Sequence, residues 1–177
     1  INRGECDAAL VGGCNLLLHP NISLQFARLG VLAKDGYCRP FDIDGAGYCR
    51  AEGICVIYLQ KAADAKRIYA NLVYSKINND GFKKEGITYP AGQMQIKLLQ
   101  EFYEDLKMDP STMDYVEAHG TGTTVGDPEE CYTLDTIFCK GRNGKPLPIG
   151  SVKSNMGHSE AASGVISITK IIFAFET

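Results

Sequence analysis

Two segments put a histidine among glycines directly after an apolar run: VEAHGTGT around His119 and GSVKSNMGHSEAASG around His158. In open α/β sheets ligands gather at the carboxyl ends of strands. Two histidines 39 positions apart can therefore meet in one cleft while belonging to successive β-α units. Gly120 and Gly122 would let a ligand approach the backbone closely, and Thr121 and Thr123 would add hydroxyls beside it. His158 stands just before a predicted helix, whose unpaired amides and partial positive charge disfavour adding a proton to the ring. Lys153, five residues earlier, pushes the same way. A neutral imidazole with one nitrogen fixed by hydrogen bonding presents N–H from the other, which is what stabilising an enolate oxygen requires.

Plainer readings compete at each position. A histidine in a glycine turn is commonly a structural hydrogen-bonding group, and it is the repetition of strand, histidine and glycines that favours chemistry here. Zinc would need a third ligand at helical or C-x-x-C spacing, and neither histidine has one, so no metal is expected. Gly150-Ser151-Val152-Lys153-Ser154 fails as a phosphate loop, since glycines are missing at Leu147 and Val152. Gly157-His158-Ser159-Glu160-Ala161 lacks the second glycine of a nucleophile elbow, so Ser159 reads as a helix cap. His19, before Pro20, reads as a loop residue, and FDIDGAGYCRAEG as a tight turn or a cavity wall.

The elements that must position these residues follow from the apolar pattern. Ala8 to Val11, stopped by Gly12-Gly13, suits a buried strand. His19 to Gly53 reads as ordered loop with one short helix, and Ile54 to Leu59 as a second strand. Ala62 to Arg67 favours one or two helical turns, and Ile68 to Ile77 a third strand. Pro90 opens a helix with Met94, Leu98, Phe102 and Leu106 in one stripe, ended by Asp109-Pro110. Tyr115 to Ala118 reads as a strand, and Asp127-Pro128-Glu129-Glu130 as a helix start with Asp127 at the cap and Glu130 at the capping-box position, running to Phe138. Pro148 to Val152 is a further strand. From Ser159 a helix buried between two sheets is expected, because VISITKIIFAF is too short and polar for a membrane span. Strands alternating with helices imply parallel β-α-β units in a layered α/β architecture.

Bulk properties bound the function without naming it. At 177 residues, with 45% apolar and 22% charged residues, the chain is long enough for one ordinary core. A formal charge of −3 leaves no basic field, so neither nucleic acid nor a membrane surface is an expected partner. Seven cysteines with no C-x-x-C pair suggest reduced thiols buried as small hydrophobes, as in the cytosol. The chain begins at Ile1, not Met, as if already inside a folded unit, and is expected to be a piece of a longer protein.

VEAHGTGT followed by GSVKSNMGHSEAASG strongly resembles the two histidine motifs of β-ketoacyl synthases. The resemblance runs essentially the full length, through GECDAALVGG, FDIDGAGYCRAEG and NNDGFKKEGITYPAG, the last looking more like animal-type fatty acid synthase than modular polyketide synthases. It implies the thiolase fold, two α/β halves stacked as α-β-α-β-α, with residues 1–60 closing the first half and residues 61–177 forming most of the second. It implies that His119 and His158 bind the malonyl thioester carbonyl and promote decarboxylation, and that Lys153 tunes the pair. Thr121 and Thr123 would hold the phosphopantetheine arm, with Asn155 in support.

No tightly bound cofactor is implied, since phosphopantetheine arrives on an acyl carrier protein. The implied partners are that carrier domain, malonyl and acyl thioesters, and a second copy in a cytoplasmic homodimer. The family nucleophile is a cysteine in an Ala-Cys-Ser-Ser setting at a helix amino terminus, and none of the seven cysteines has such neighbours. It is expected before Ile1, which would leave the chain silent on its own. A polyketide ketosynthase and a non-catalytic synthase-like module stand as alternatives. A thiolase would need a second cysteine near its carboxyl end, and none stands there.

Overall fold

The computed structural model describes residues 1–86 and 88–176. The first sheet is a pair, β1 (Ala8–Asn15) and β2 (Gly53–Gln60), antiparallel in the register Ala8↔Gln60 to Asn15↔Gly53. Gly12-Gly13 do not stop β1 as expected. Gly13 lets the strand press on the turn before the last helix, where an added Cβ would lie 2.9 Å from Ala162 Cα. Nor is the pair buried on both faces. Leu10, Ile54, Val56 and Tyr58 are exposed, because a helix covers one side only and period-2 alternation follows. The connection holds α1 (Pro20–Arg28), and His19 proves to be its N-cap, Nδ1 accepting from Asn21 N–H.

Parallel β-α-β architecture holds at the second sheet and fails at the first. β3 (Val116–Glu117) and β4 (Ile149–Gly150) are parallel neighbours joined through α3 (Gly126–Leu134), whereas β2 returns antiparallel to β1. The strand expected over Ile68 to Ile77 does not form, and Ala62 to Arg67 keeps only a 3-10 turn, Ala62–Asp64. With no ladder partner, that segment is tied to a helix by side chains: Tyr74 and Lys76 both donate to Asp105.

That helix is α2 (Gly92–Leu106), and it has two apolar faces where the sequence suggested one. Ile96, Leu99 and Tyr103 face the core. The Met94-Leu98-Phe102-Leu106 stripe is half-buried, with Phe102 against Tyr74 at 5.2 Å between ring centres. The core joins Ile96 to Ala118, Leu134, Ile137 and Phe138. Burying a side chain as fully as Phe138, 3% exposed, stabilises by about 2–3 kcal/mol.

α3 starts at Gly126 with Val125 as its N-cap, so Asp127 is not the cap. Asp127 and Glu130 reach outward to loop amides instead, and a π-helical turn, Asp135–Cys139, continues the helix. α4 (Lys153–Met156) follows β4 directly. Ser159 is buried but caps nothing with its side chain. α5 (Ser163–Glu176) is the helix expected to lie between two sheets. It touches both, through Cys55···Thr169 and through Lys170 to Glu117, yet none of its residues is buried. Nor are most thiols buried: Cys6, Cys14, Cys131 and Cys139 are exposed, and Cys38 is the buried one among the described residues.

Candidate active site

The exits of β3 and β4 bring the two glycine-rich loops together. Ala118 N–H donates to Gly150 C=O at 2.7 Å, and Ser151 Oγ donates to His119 C=O at 3.0 Å. The imidazoles of His119 and His158 meet edge to face, centroids 5.3 Å apart and planes at 85°. Tyr48 also meets His158 in an edge contact, 5.0 Å between centroids with planes at 69°.

Each loop is held by carboxylates that accept backbone N–H groups. Glu130 accepts from His119 at 2.7 Å and Gly120 at 2.8 Å. Asp127 accepts from Gly122 at 3.0 Å and from Phe41, 86 residues earlier, at 2.7 Å. Gly122 has φ +80°, and a Cβ there would meet Arg39 N at 2.8 Å, so only glycine fits this crossing. On the other loop, Glu117 accepts from Val152 N–H, Lys170 and Tyr115, fixing the backbone just before Lys153.

His158 is gripped by its own backbone: its N–H donates to Cys49 C=O and its C=O accepts from Ala51 N–H. Its Nδ1 accepts from Glu160 N–H at 3.1 Å. A neutral ring that accepts at Nδ1 carries its proton on Nε2.

Electrostatics keeps both rings neutral. His158 is lowered to about 4 by burial, then by His119 and Lys153, with Glu160 opposing. His119 is also lowered to about 4. One side of His119 stays open to solvent, and the crowding of protein atoms around the rest is the largest cause, ahead of Lys153. Lys153 is 2% exposed, and burial lowers it despite the carboxylates of Glu130 and Glu117. Burial raises Glu130, its two amide bonds opposing. Cys38, whose sulfur accepts from Cys49 N–H, has its thiol pKa raised by burial, which makes it a poor nucleophile.

The profile described as "Beta-ketoacyl synthase, C-terminal domain" matches residues 69–177, and its N-terminal counterpart matches residues 1–65. The chain belongs to the β-ketoacyl synthase family.

This β-ketoacyl synthase chain is 49% identical over 176 residues to a "Fatty acid synthase" of Anser anser anser, covering 99% of the chain and 50% of that protein. It is 44% identical over 180 residues to a highly reducing polyketide synthase of Hypocrea virens, covering 99% of the chain and 8% of the relative. Among solved structures it superposes with TM-score 0.93 and 39% identity on a ketosynthase from module 6 of the bacillaene synthase of Bacillus subtilis 168, over 98% of this chain and 32% of that one. The chain thus spans half or less of these relatives. Its fold is the thiolase-like one of those ketosynthases in part, the end of the first half and the second half.

Of the synthase residues picked from sequence, His119, His158 and Lys153 lie together. Thr121 and Thr123 adjoin, hydroxyls 3.2 Å apart, with Thr123 also accepting from Gly126 N–H. Asn155 is exposed on α4 and its side chain accepts from Ser154. Sequence reasoning missed Asp127 and Glu130 as loop anchors, because Asp-Pro-Glu-Glu looks like a helix cap. It also missed Arg50 and Glu160, which pair with each other from segments 110 residues apart.

Proposed function

We propose that this chain is the histidine-bearing part of a β-ketoacyl-[acyl carrier protein] synthase of a multifunctional fatty acid synthase. The observation that carries this is the pair of edge-to-face neutral imidazoles, with His158 held so that Nε2 presents N–H. Two such donors suit the oxygen of a malonyl thioester. As the bond to the carboxylate breaks, carbon dioxide leaves and its electron pair forms the enolate, whose oxygen His119 and His158 stabilise. Removing one well-placed donor to such an oxygen typically costs about 3–4 kcal/mol in the barrier.

The enolate carbon then attacks an acyl thioester held on a cysteine supplied from outside this sequence, forming the new carbon–carbon bond and releasing the thiolate. Lys153 keeps both rings neutral. Thr121, Thr123 and Asn155 bind the phosphopantetheine arm of the acyl carrier protein, and no metal takes part. Residues 1–60 belong to the first half of the fold and 61–177 to the second, a division supported by profile matches at 1–65 and 69–177. The working form is a cytoplasmic homodimer.

A fatty acid product is favoured by the 49% identity to the goose protein. The polyketide reading is favoured by the 44% relative and the ketosynthase neighbours. In a full-length synthase carrying this sequence, His119→Ala and His158→Ala are each expected to lower malonyl decarboxylation by about a hundredfold or more. Decarboxylation undiminished in both would reject the role and favour a non-catalytic module.

A further inference from the structure

Glu160 is the residue whose N–H meets His158 Nδ1, and it sits at φ +39°, a conformation that side-chain-bearing residues avoid. Its turn is closed by Ala162 N–H donating to Ser159 C=O at 2.8 Å, and its side chain is held as well. Both carboxylate oxygens are taken by Arg50, Nε to Oε1 at 2.8 Å and Nη2 to Oε2 at 2.7 Å. The guanidinium is itself fixed. Its third nitrogen donates to Ser23 Oγ at 3.0 Å, and its central carbon lies over the Phe26 ring, 5.0 Å from the ring centre. The side chains of Arg50 and Glu160 are 8% and 19% exposed, so the fork is largely shielded from solvent. Arg50 is also the strand-like neighbour of His158 between Cys49 and Ala51, whose backbone groups bracket that histidine.

We propose that Arg50 and Glu160 are positioning residues for His158. The two-point fork holds Glu160 in its left-handed backbone conformation, which aims its N–H at Nδ1 and thereby keeps the ring proton on Nε2. Without the fork, Glu160 relaxes toward negative φ and the N–H turns away. The tautomer protonated at Nδ1 then competes, and its Nε2 accepts where it must donate. A lone ammonium cannot replace the fork, because it offers no planar pair of donors. The proposal rests on the reading of His158 as an oxyanion donor.

The test is malonyl decarboxylation by the full-length synthase. With Arg50→Gln, kcat falls about ten- to a hundredfold, as expected for a misplaced catalytic group, while KM stays within about twofold. The acid limb of the pH profile moves upward, since His158 faces Glu160, His119, Lys153 and Tyr48, and both the freed Glu160 charge and the lost N–H bond favour its protonation. Arg50→Lys does not restore the rate. Glu160→Gly keeps more activity than Glu160→Ala, because glycine holds positive φ unaided.

Wild-type kcat in Arg50→Gln, a fall in kcat with the acid limb unmoved, or equal rates for Glu160→Gly and Glu160→Ala would each overturn the proposal. His158→Ala in the same assay separates the layers. If it decarboxylates normally, the underlying reading has failed. If it does not while Arg50→Gln behaves as wild type, only the positioning role has.

Discussion

Asp127→Asn tests how the loop carrying His119 is held. The carboxylate is 7% exposed and takes two N–H groups, Phe41 at 2.7 Å and Gly122 at 3.0 and 3.1 Å. An asparagine of the same shape has one oxygen and one NH2. If the oxygen takes the place of Oδ2, it keeps Phe41 and the 3.1 Å contact to Gly122, but the NH2 then stands at Oδ1 against the same Gly122 N–H. If it is flipped, the NH2 lies against Phe41 N–H. Either way a donor meets a donor, and the charge that strengthened both bonds is gone. Hydrogen bonds to charged groups contribute about 1.5–3 kcal/mol each, so the loss is about 2–3 kcal/mol of local stability. At 1.36 kcal/mol per factor of ten, amides that exchange by local opening should do so about 30- to 150-fold faster. Hydrogen–deuterium exchange on the full-length synthase reads this directly at residues 41–42 and 121–123, with Asp42→Asn, where an exposed carboxylate accepts from Asp44 N–H, as the mild comparison. Exchange unchanged at both segments in Asp127→Asn would refute the idea that this carboxylate ties them together.

Because both imidazoles titrate at about 4, well below the ordinary 6.5, they are neutral at physiological pH. Malonyl decarboxylation should therefore be flat from about pH 5.5 upward and fall only as pH drops through about 4, and an acid limb near 6.5 would contradict the neutral pair. Lys153→Met removes a positive charge that lowers both histidines, so the acid limb should shift to higher pH. A shift to lower pH, or none, would show that Lys153 does not tune the pair.

The local elements were legible where one segment decides its own structure. α2, the β3-α3-β4 unit and α5 each carry their periodicity within the segment, and residues 116–150 form a parallel pair as the strand-helix-strand pattern implied. The segment Ile68 to Ile77 shows the limit. Its β-branched residues suit a strand, but a strand needs a partner edge, and Tyr74 and Lys76 found Asp105 on α2 instead. The direction of β2 against β1 was likewise invisible, since 37 residues separate Asn15 from Gly53 and no turn signal joins them.

His119, His158 and Lys153, which the structure brings together, could be proposed from sequence because each stands in a glycine-rich motif of fixed local spacing. What holds them could not. Asp127 reaches Phe41 across 86 positions, and Arg50 reaches Glu160 across 110. The sequence by itself determined which groups stand in the two glycine-rich motifs and so which were proposed for the chemistry. Tertiary structure decided which nitrogen of His158 carries the proton and how both rings stay neutral. Those properties depend on amides, carboxylates and burial contributed by distant segments, and such groups meet only when the chain has folded.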